Sequence, residues 1–175
     1  MLEHLANIEL AHMALLQAAL DSQANWALIL EDDAIAFDID DLAAQLDVYG
    51  RTWLAGEQPK YVNMSRSFET SQLNLSEPTT LVSGWGDKAE VRSARVPFTN
   101  TVCAILYRRE FLTDLLPELD RIPLEPIMPI DWKLNAALMQ LSSTTRLSAG
   151  DCYEVNPAPI VQGSMHNSAD QPAAR

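Results

Sequence analysis

The chain has 175 residues, is 47% hydrophobic and carries a formal net charge of −12. That length is one domain of ordinary size, and that apolar fraction is enough for a core. The charge argues against a nucleic-acid partner, which needs a basic face to meet phosphate, and against direct docking on anionic lipid. No apolar run is long enough to span a bilayer. The first residues, Met1-Leu2-Glu3-His4, lack the basic start of a signal peptide. Cys103 and Cys152 lie far apart and match no metal or redox spacing, so they read as two free thiols of a cytoplasmic protein.

Residues 3–21 are predicted to form a helix, with Leu5, Ile8, His12, Leu15 and Ala19 on one face and Leu16 beside them. His12 is the odd member of that face. It reads either as a core histidine with one hydrogen-bond partner or as a polar group aimed at a site beyond Leu30. After a polar turn, Trp26-Ala27-Leu28-Ile29-Leu30 is an uninterrupted apolar run that stops at Glu31-Asp32-Asp33. Such a run fits a strand buried on both faces of an open α/β sheet, and its carboxyl end is where such sheets place ligands. A helix over about 41–49 should follow, capped by Asp40 or Asp41, buried through Leu42, Leu46 and Tyr49, and stopped by Gly50.

Lys60 to Met64 is predicted as a second strand. Residues 65–100 form a long polar region with one strand at Thr80-Leu81-Val82 and the tight Gly84-Trp85-Gly86, where Trp85 is either a sugar platform or buried under the loop. Thr101 to Tyr107 is a central strand. The helix after it presents Phe111, Leu112, Leu115 and Leu116, and Pro117 should end or kink it. Pro123, Pro126 and Pro129 make a stiff connection to a helix from Asp131 to about Leu141, with Asp131 as its N-cap or as a carboxylate at the sheet's rim. Arg146-Leu147 and Tyr153-Glu154-Val155 close the fold. The expected organisation is a single domain over 1–162 and a flexible tail over 163–175.

Three adjacent acids repel one another. Clustered carboxylate oxygens suit a hard cation such as Mg²⁺ or Mn²⁺, while a solvated acidic turn is the plainer alternative. A calcium loop of the EF-hand type is excluded because residues 32–41 contain no glycine. An aspartyl-nucleophile phosphatase is excluded because Glu31-Asp32-Asp33-Ala34 is not Asp-x-Asp-Gly-Thr.

With these pieces in order the chain resembles glycosyltransferase family 25, the lipooligosaccharide galactosyltransferases and their relatives. Asn7-Ile8-Glu9-Leu10-Ala11-His12, followed by Leu15-Leu16-Gln17, is similar to the family's Ser-His helix. Leu28-Ile29-Leu30-Glu31-Asp32-Asp33 is similar to its Leu-Glu-Asp-Asp signature, and Thr101 to Tyr107 more loosely to its Thr-x-Ala-Tyr strand. Pro129-Ile130-Asp131-Trp132 is similar to its Pro-x-Asp, and Asn156 to Ser164 to its proline-rich closing segment ending in Gln-x-Ser.

The resemblance implies a GT-A-like fold: a mixed, mostly parallel sheet flanked by helices, here lacking the family's amino-terminal nucleotide-binding strand and basic loop. It implies inverting, metal-assisted transfer of a hexose such as galactose from a UDP-sugar to a cell-surface saccharide or glycolipid, in the cytoplasm or at the inner face of the membrane. Asp33, helped by Asp32 and Glu31, would hold the Mn²⁺ or Mg²⁺ that offsets the departing diphosphate. Asp131 would be the catalytic base. His12 and Gln162 would position the donor, together with Glu31 and Asp32. The family's Gly-Cys and Ser ahead of the histidine are replaced by Asn7-Ile8 and Ala11. With the amino-terminal strand also missing, a non-catalytic or degenerate saccharide- or partner-binding relative is the alternative.

Overall fold

The structure is a computed structural model that describes residues 2–55, 59–66, 76–81, 90–94, 98–99, 101–123, 128–156 and 158–166. Helix α1 spans Leu2–Asp21. Its buried stripe is Glu9, His12, Leu16 and Ala19, while Leu15 is 47% exposed. The face is therefore turned one position from the apolar reading, with Leu16 inward in place of Leu15. A charged group accounts for the turn: Glu9 is buried because Lys133 meets it.

Strand β1 (Trp26–Leu30) and strand β2 (Ala34–Ala36) flank the acids. Helix α2 (Ile39–Ala55) is longer than predicted and runs through Gly50. Its first turn is capped by Asp38, whose Oδ1 accepts the Asp41 amide at 3.0 Å, rather than by Asp40 or Asp41. Leu42 and Leu46 pack inward as expected, and the side chain of Tyr49 lies outside the described residues.

Strands β3 (Tyr61–Asn63), β4 (Ser65–Arg66), β5 (Ser76–Leu81) and β6 (Glu90–Ala94) follow. The stretch predicted as polar loop with one strand thus holds β4, β5 and β6. Trp85 lies outside the described residues.

Strand β7 (Ala104–Arg108) leads directly into α3 (Arg109–Arg121). Pro117 sits inside α3 without ending it. The helix is held by Phe111, Leu112, Leu115, Leu116 and Leu119, all buried, and that burial outweighs the hydrogen bond a proline lacks. Helix α4 spans Ile130–Ser143 with Pro129 at its cap, so Asp131 lies in the first turn and not at the N-cap. Arg146-Leu147 is not a strand; the Arg146 guanidinium reaches back to Glu118 and Asp114 of α3. Strands β8 (Cys152–Asn156) and β9 (Ile160–Gln162) and a one-turn helix α5 (Gly163–His166) complete the chain. The predicted tail thus begins with helix, and residues beyond 166 lie outside the described ones.

The strands form a six-stranded sheet in the order β1-β7-β3-β8-β6-β5 and a three-stranded sheet in the order β2-β9-β4. The α/β class is as expected and the sheets are mixed, but they are not mostly parallel. Among the described residues five of the seven strand pairings are antiparallel, and only β3–β8 and β4–β9 are parallel. Nor is β1 central: it lies at the edge of the larger sheet, with only Ile29 buried. A five-residue apolar run cannot distinguish these cases, because an edge strand covered on both faces has the same composition as a central one. The central strand is β7, buried from Ala104 to Tyr107.

Two apolar clusters cover the larger sheet. One joins α1, α3 and α4 through Leu16, Leu112, Leu115, Leu134, Leu138 and others to Ile105 and Tyr107. The second joins Leu42 and Leu46 of α2, with Ala34, Ala36 and Ile160 of the small sheet, to Val62, Ala104 and Leu106.

Inside the helical layer lies an ion pair. Lys133 Nζ of α4 donates to Glu9 Oε1 of α1, with side chains 5% and 4% exposed. Removing one partner strands a charge in the core, a loss of about 3–5 kcal/mol. Lys133→Met is expected to lower the urea unfolding free energy by about that amount, while Glu9→Leu combined with Lys133→Met recovers most of it. Equal losses in the single and double variants would show the pair to be unimportant.

Candidate functional site

The acids sit where β1 leaves the sheet. Glu31 N donates to the Cys103 carbonyl at 2.9 Å, which extends the antiparallel β1–β7 ladder by one step and sets Glu31 directly opposite Cys103. The Ala34 amide then donates to the Glu31 carbonyl at 3.2 Å, closing a tight turn with Asp32 and Asp33 at its centre. The turn divides the three carboxylates. Asp32 is exposed, whereas Glu31 and Asp33 are half-buried.

Asp33 is held on two sides. Its carbonyl accepts the Gly163 amide at 2.7 Å, and its Oδ2 accepts the Ser164 amide at 3.1 Å. Both donors come from α5, so the start of the segment read as a loose tail is what fixes the acid. Only glycine fits there: a Cβ on residue 163 would stand 2.8 Å from the Asp33 carbonyl oxygen and 3.1 Å from Ile35 Cδ1. Gln162 Nε2 lies 3.5 Å from Glu31 Oε2, the outer limit of a hydrogen bond.

Asp131, in the first turn of α4, is near enough for its charge to act on Glu31. Its Oδ1 accepts the Trp132 amide at 3.0 Å. One turn further along, Asn135 clamps Thr99 in both directions, accepting its amide and donating to its carbonyl, each at 2.8 Å. Thr99 Oγ1 donates to the Thr101 carbonyl at 2.6 Å, and Thr101 Oγ1 accepts the Cys103 amide at 3.1 Å. The first turns of α4 are thus tied to the residues that lead into β7 beside Glu31.

The electrostatics carry that arrangement. The carboxyl of Glu31 is raised by burial first, then by the charges of Asp33, Asp131 and Asp32. Burial likewise raises the carboxyl of Asp131. The Cys103 thiol is pushed up to about 12 by burial and by Glu31 and Asp33.

The ligand atoms of Glu31, Asp33 and Cys103 all lie within 4.8 Å of one another. Ligands about 2.0–2.3 Å from one ion in tetrahedral directions lie about 3.3–3.8 Å apart, so the three atoms would draw together on meeting a single cation. Asp33 Oδ1 is buried and, among the described residues, has no hydrogen-bond partner. An orphaned carboxylate oxygen in a nest of negative charge fits a cation, and both carboxylates suit a divalent one.

Of the residues singled out from the sequence, Glu31, Asp32 and Asp33 share this turn, Gln162 comes within 3.5 Å of Glu31, and the charge of Asp131 acts on Glu31. His12 does not join them through any contact among the described residues. It is buried in α1, its Nε2 has no described partner, and burial lowers it to about 4, so it is neutral at ordinary pH. Cys103 is the residue sequence reasoning missed. The two cysteines are free and buried, as expected, but the closeness of Cys103 to the acids follows from strand register, which the sequence does not print. Compared with known proteins, the chain matches no family model and no curated protein.

Two outcomes are expected. Gly163→Ala should cost about 1–3 kcal/mol in urea unfolding, since backbone must shift to admit the methyl, and should weaken divalent-cation binding by displacing Asp33. Unchanged cation affinity would separate Gly163 from the site. The second concerns pH. The raised pKa of Glu31 means that the folded protein holds this proton more tightly than the unfolded chain, so its stabilising effect is present at low pH and is lost as pH rises through the folded value. Glu31→Gln should therefore raise the unfolding temperature of metal-free protein at about pH 7, with the gain vanishing below about pH 4. A divalent cation should reverse the order at neutral pH.

Proposed function

We propose that the protein is a glycosyltransferase of the GT-A type, moving a hexose such as galactose from a UDP-sugar to a cell-surface saccharide or glycolipid acceptor with inversion. The observation that carries this reading is the acid cluster at the end of β1, where ligand atoms of Glu31 and Asp33 lie within 4.8 Å of each other and Asp33 Oδ1 has no hydrogen-bond partner among the described residues. The resemblance to glycosyltransferase family 25 requires a base beside such a cation holder, and Asp131, in the first turn of α4, is near enough for its charge to raise the Glu31 carboxyl.

A divalent cation bound there supplies positive charge to the leaving diphosphate. Glu31 and Asp33 are its holders, fixed by the β1–β7 register and by the α5 amides, and exposed Asp32 adds negative charge at the rim. Asp131 takes the proton of the acceptor hydroxyl. Burial raises its carboxyl, which makes the carboxylate a stronger base. The Trp132 amide donates to Oδ1 and holds the carboxylate in place. Gln162, whose Nε2 lies 3.5 Å from Glu31 Oε2, helps to position that carboxylate. No helix among the described residues is long and apolar enough to cross a membrane, and the reading places the enzyme in the cytoplasm, at the membrane face where a glycolipid acceptor would be met.

One observation favours a second reading, a non-catalytic saccharide- or partner-binding relative. The histidine expected to position the donor is buried and neutral, with no described contact to the cluster. Calorimetry with UDP-galactose and Mn²⁺ separates the two. Metal-dependent binding lost in Asp33→Asn, with transfer or donor hydrolysis falling about 10²–10⁴-fold in Asp131→Asn while binding persists, is the expected result. Binding without turnover selects the second reading, and no metal-dependent binding by the wild type rejects both.

A further inference from the structure

The proposed function leaves the cation open between Mn²⁺ and Mg²⁺, and names only oxygen ligands. We propose that Cys103 is the third ligand, so that the site is a mixed oxygen–sulfur centre that takes a thiophilic divalent cation such as Zn²⁺ or Co²⁺ in preference to Mg²⁺. This deepens the reading above and rests on it for the use of the cation, although not for its binding.

Three features bear on the same residues. The backbone register places Cys103 opposite Glu31, through the 2.9 Å bond from the Glu31 amide. The sulfur and one oxygen from each of Glu31 and Asp33 fall within 4.8 Å of one another. Asp33 Oδ1 is sealed from solvent and has no hydrogen-bond partner among the described residues, although the other oxygen of the same carboxylate has one. A buried carboxylate oxygen left bare beside another carboxylate is costly unless something positive meets it.

Sulfur decides which cation. Mg²⁺ keeps a shell of oxygens and waters, whereas thiolate favours zinc and its neighbours, whose three-ligand sites leave a position open for a further donor. Cys103 has no exposed surface, while Glu31 and Asp33 are half-buried, so the sulfur is the most deeply buried of the three ligands. On binding, the S–H bond breaks, a sulfur–metal bond forms and the proton leaves to water; no electrons change hands.

Cobalt reports the sulfur directly. Metal-free protein titrated with Co²⁺ is expected to develop a near-ultraviolet thiolate-to-cobalt charge-transfer band at one equivalent, unaffected by excess Mg²⁺. The band should vanish in Cys103→Ser and persist in Cys152→Ser, whose sulfur lies elsewhere against the Ser148 carbonyl. Zn²⁺ affinity should fall in Cys103→Ser by more than the about 10–100-fold lost with a group that merely orients a ligand. Asp33→Asn should abolish the band with Cys103 intact, a second route should the serine variant fail to fold.

Cobalt bound without the band, a band that survives Cys103→Ser, or no cobalt binding would each overturn the proposal. UDP binding on the same samples keeps the two readings apart. UDP bound with Mg²⁺ but no cobalt band leaves the transferase without its cysteine. A band that depends on Cys103, without metal-dependent UDP binding, leaves the metal centre without the transferase.

Discussion

The step of ladder beyond the regular end of β1, where the Glu31 amide meets the Cys103 carbonyl, is the constraint on which the site depends. It continues the β1–β7 register one residue past the apolar run, and so draws a carboxylate into the sheet's rim beside a fully buried thiol. The tight turn that follows cannot avoid bringing two more acids close behind. Left to itself this segment would splay into solvent, because charge repulsion and lost hydration both oppose its compact form. It stays compact because its neighbours determine its backbone on both sides: the Cys103 carbonyl before the turn, and the Gly163 and Ser164 amides after it. Crowded charge of this kind persists only where the surrounding structure holds it in place.

The other half of the site is imposed by the helical layer. Asp131 is set by the depth and rotation of α4, and two polar anchors fix both. The buried Glu9–Lys133 pair locks α4 against α1 two residues beyond Asp131, and the two-way clamp of Asn135 on Thr99 ties the next turn to the approach to β7. Apolar packing alone is tolerant of small rotations and slides, whereas a buried ion pair and a paired amide each accept one geometry. The core of leucines under α3 and α4 supplies stability, and the polar anchors supply aim.

Much of the helical framework was legible in the sequence, because helices carry their burial in a three-four spacing. α1, α3 and α4 fall where periodicity puts them. The departures came where a polar residue took a core position: Glu9 turned the face of α1, and Asp38 rather than its neighbours capped α2. Proline and glycine also misled, since Pro117 and Gly50 both sit inside helices that tertiary packing sustains. Strands were read less well. Runs such as Trp26 to Leu30 announce burial without announcing neighbours, so the sequence could not say that β1 is an edge or that most pairings are antiparallel. The acids and Asp131 could be singled out because charge beside an apolar run is conspicuous. Cys103 could not, because its relation to Glu31 exists only through register.

The donors of the site are graded from water to core. Asp32 is open to solvent, Glu31 and Asp33 are half-buried, and Cys103 is closed off. On the metal centre proposed above, a cation arriving from solvent would meet diffuse negative charge first, then carboxylates that replace part of its water, and last a sulfur reached only when most of the water is gone. Such a gradient would discriminate on the readiness of an ion to dehydrate as well as on charge. Mg²⁺, which gives up water reluctantly, would be held at the carboxylates, whereas a borderline ion would continue inward. Negative charge on the rim would raise the rate of arrival, and the buried end would set the strength of retention. The turn after β1 supplies the outer steps of this gradient and the approach to β7 the innermost one, and the register between the two strands brings them together.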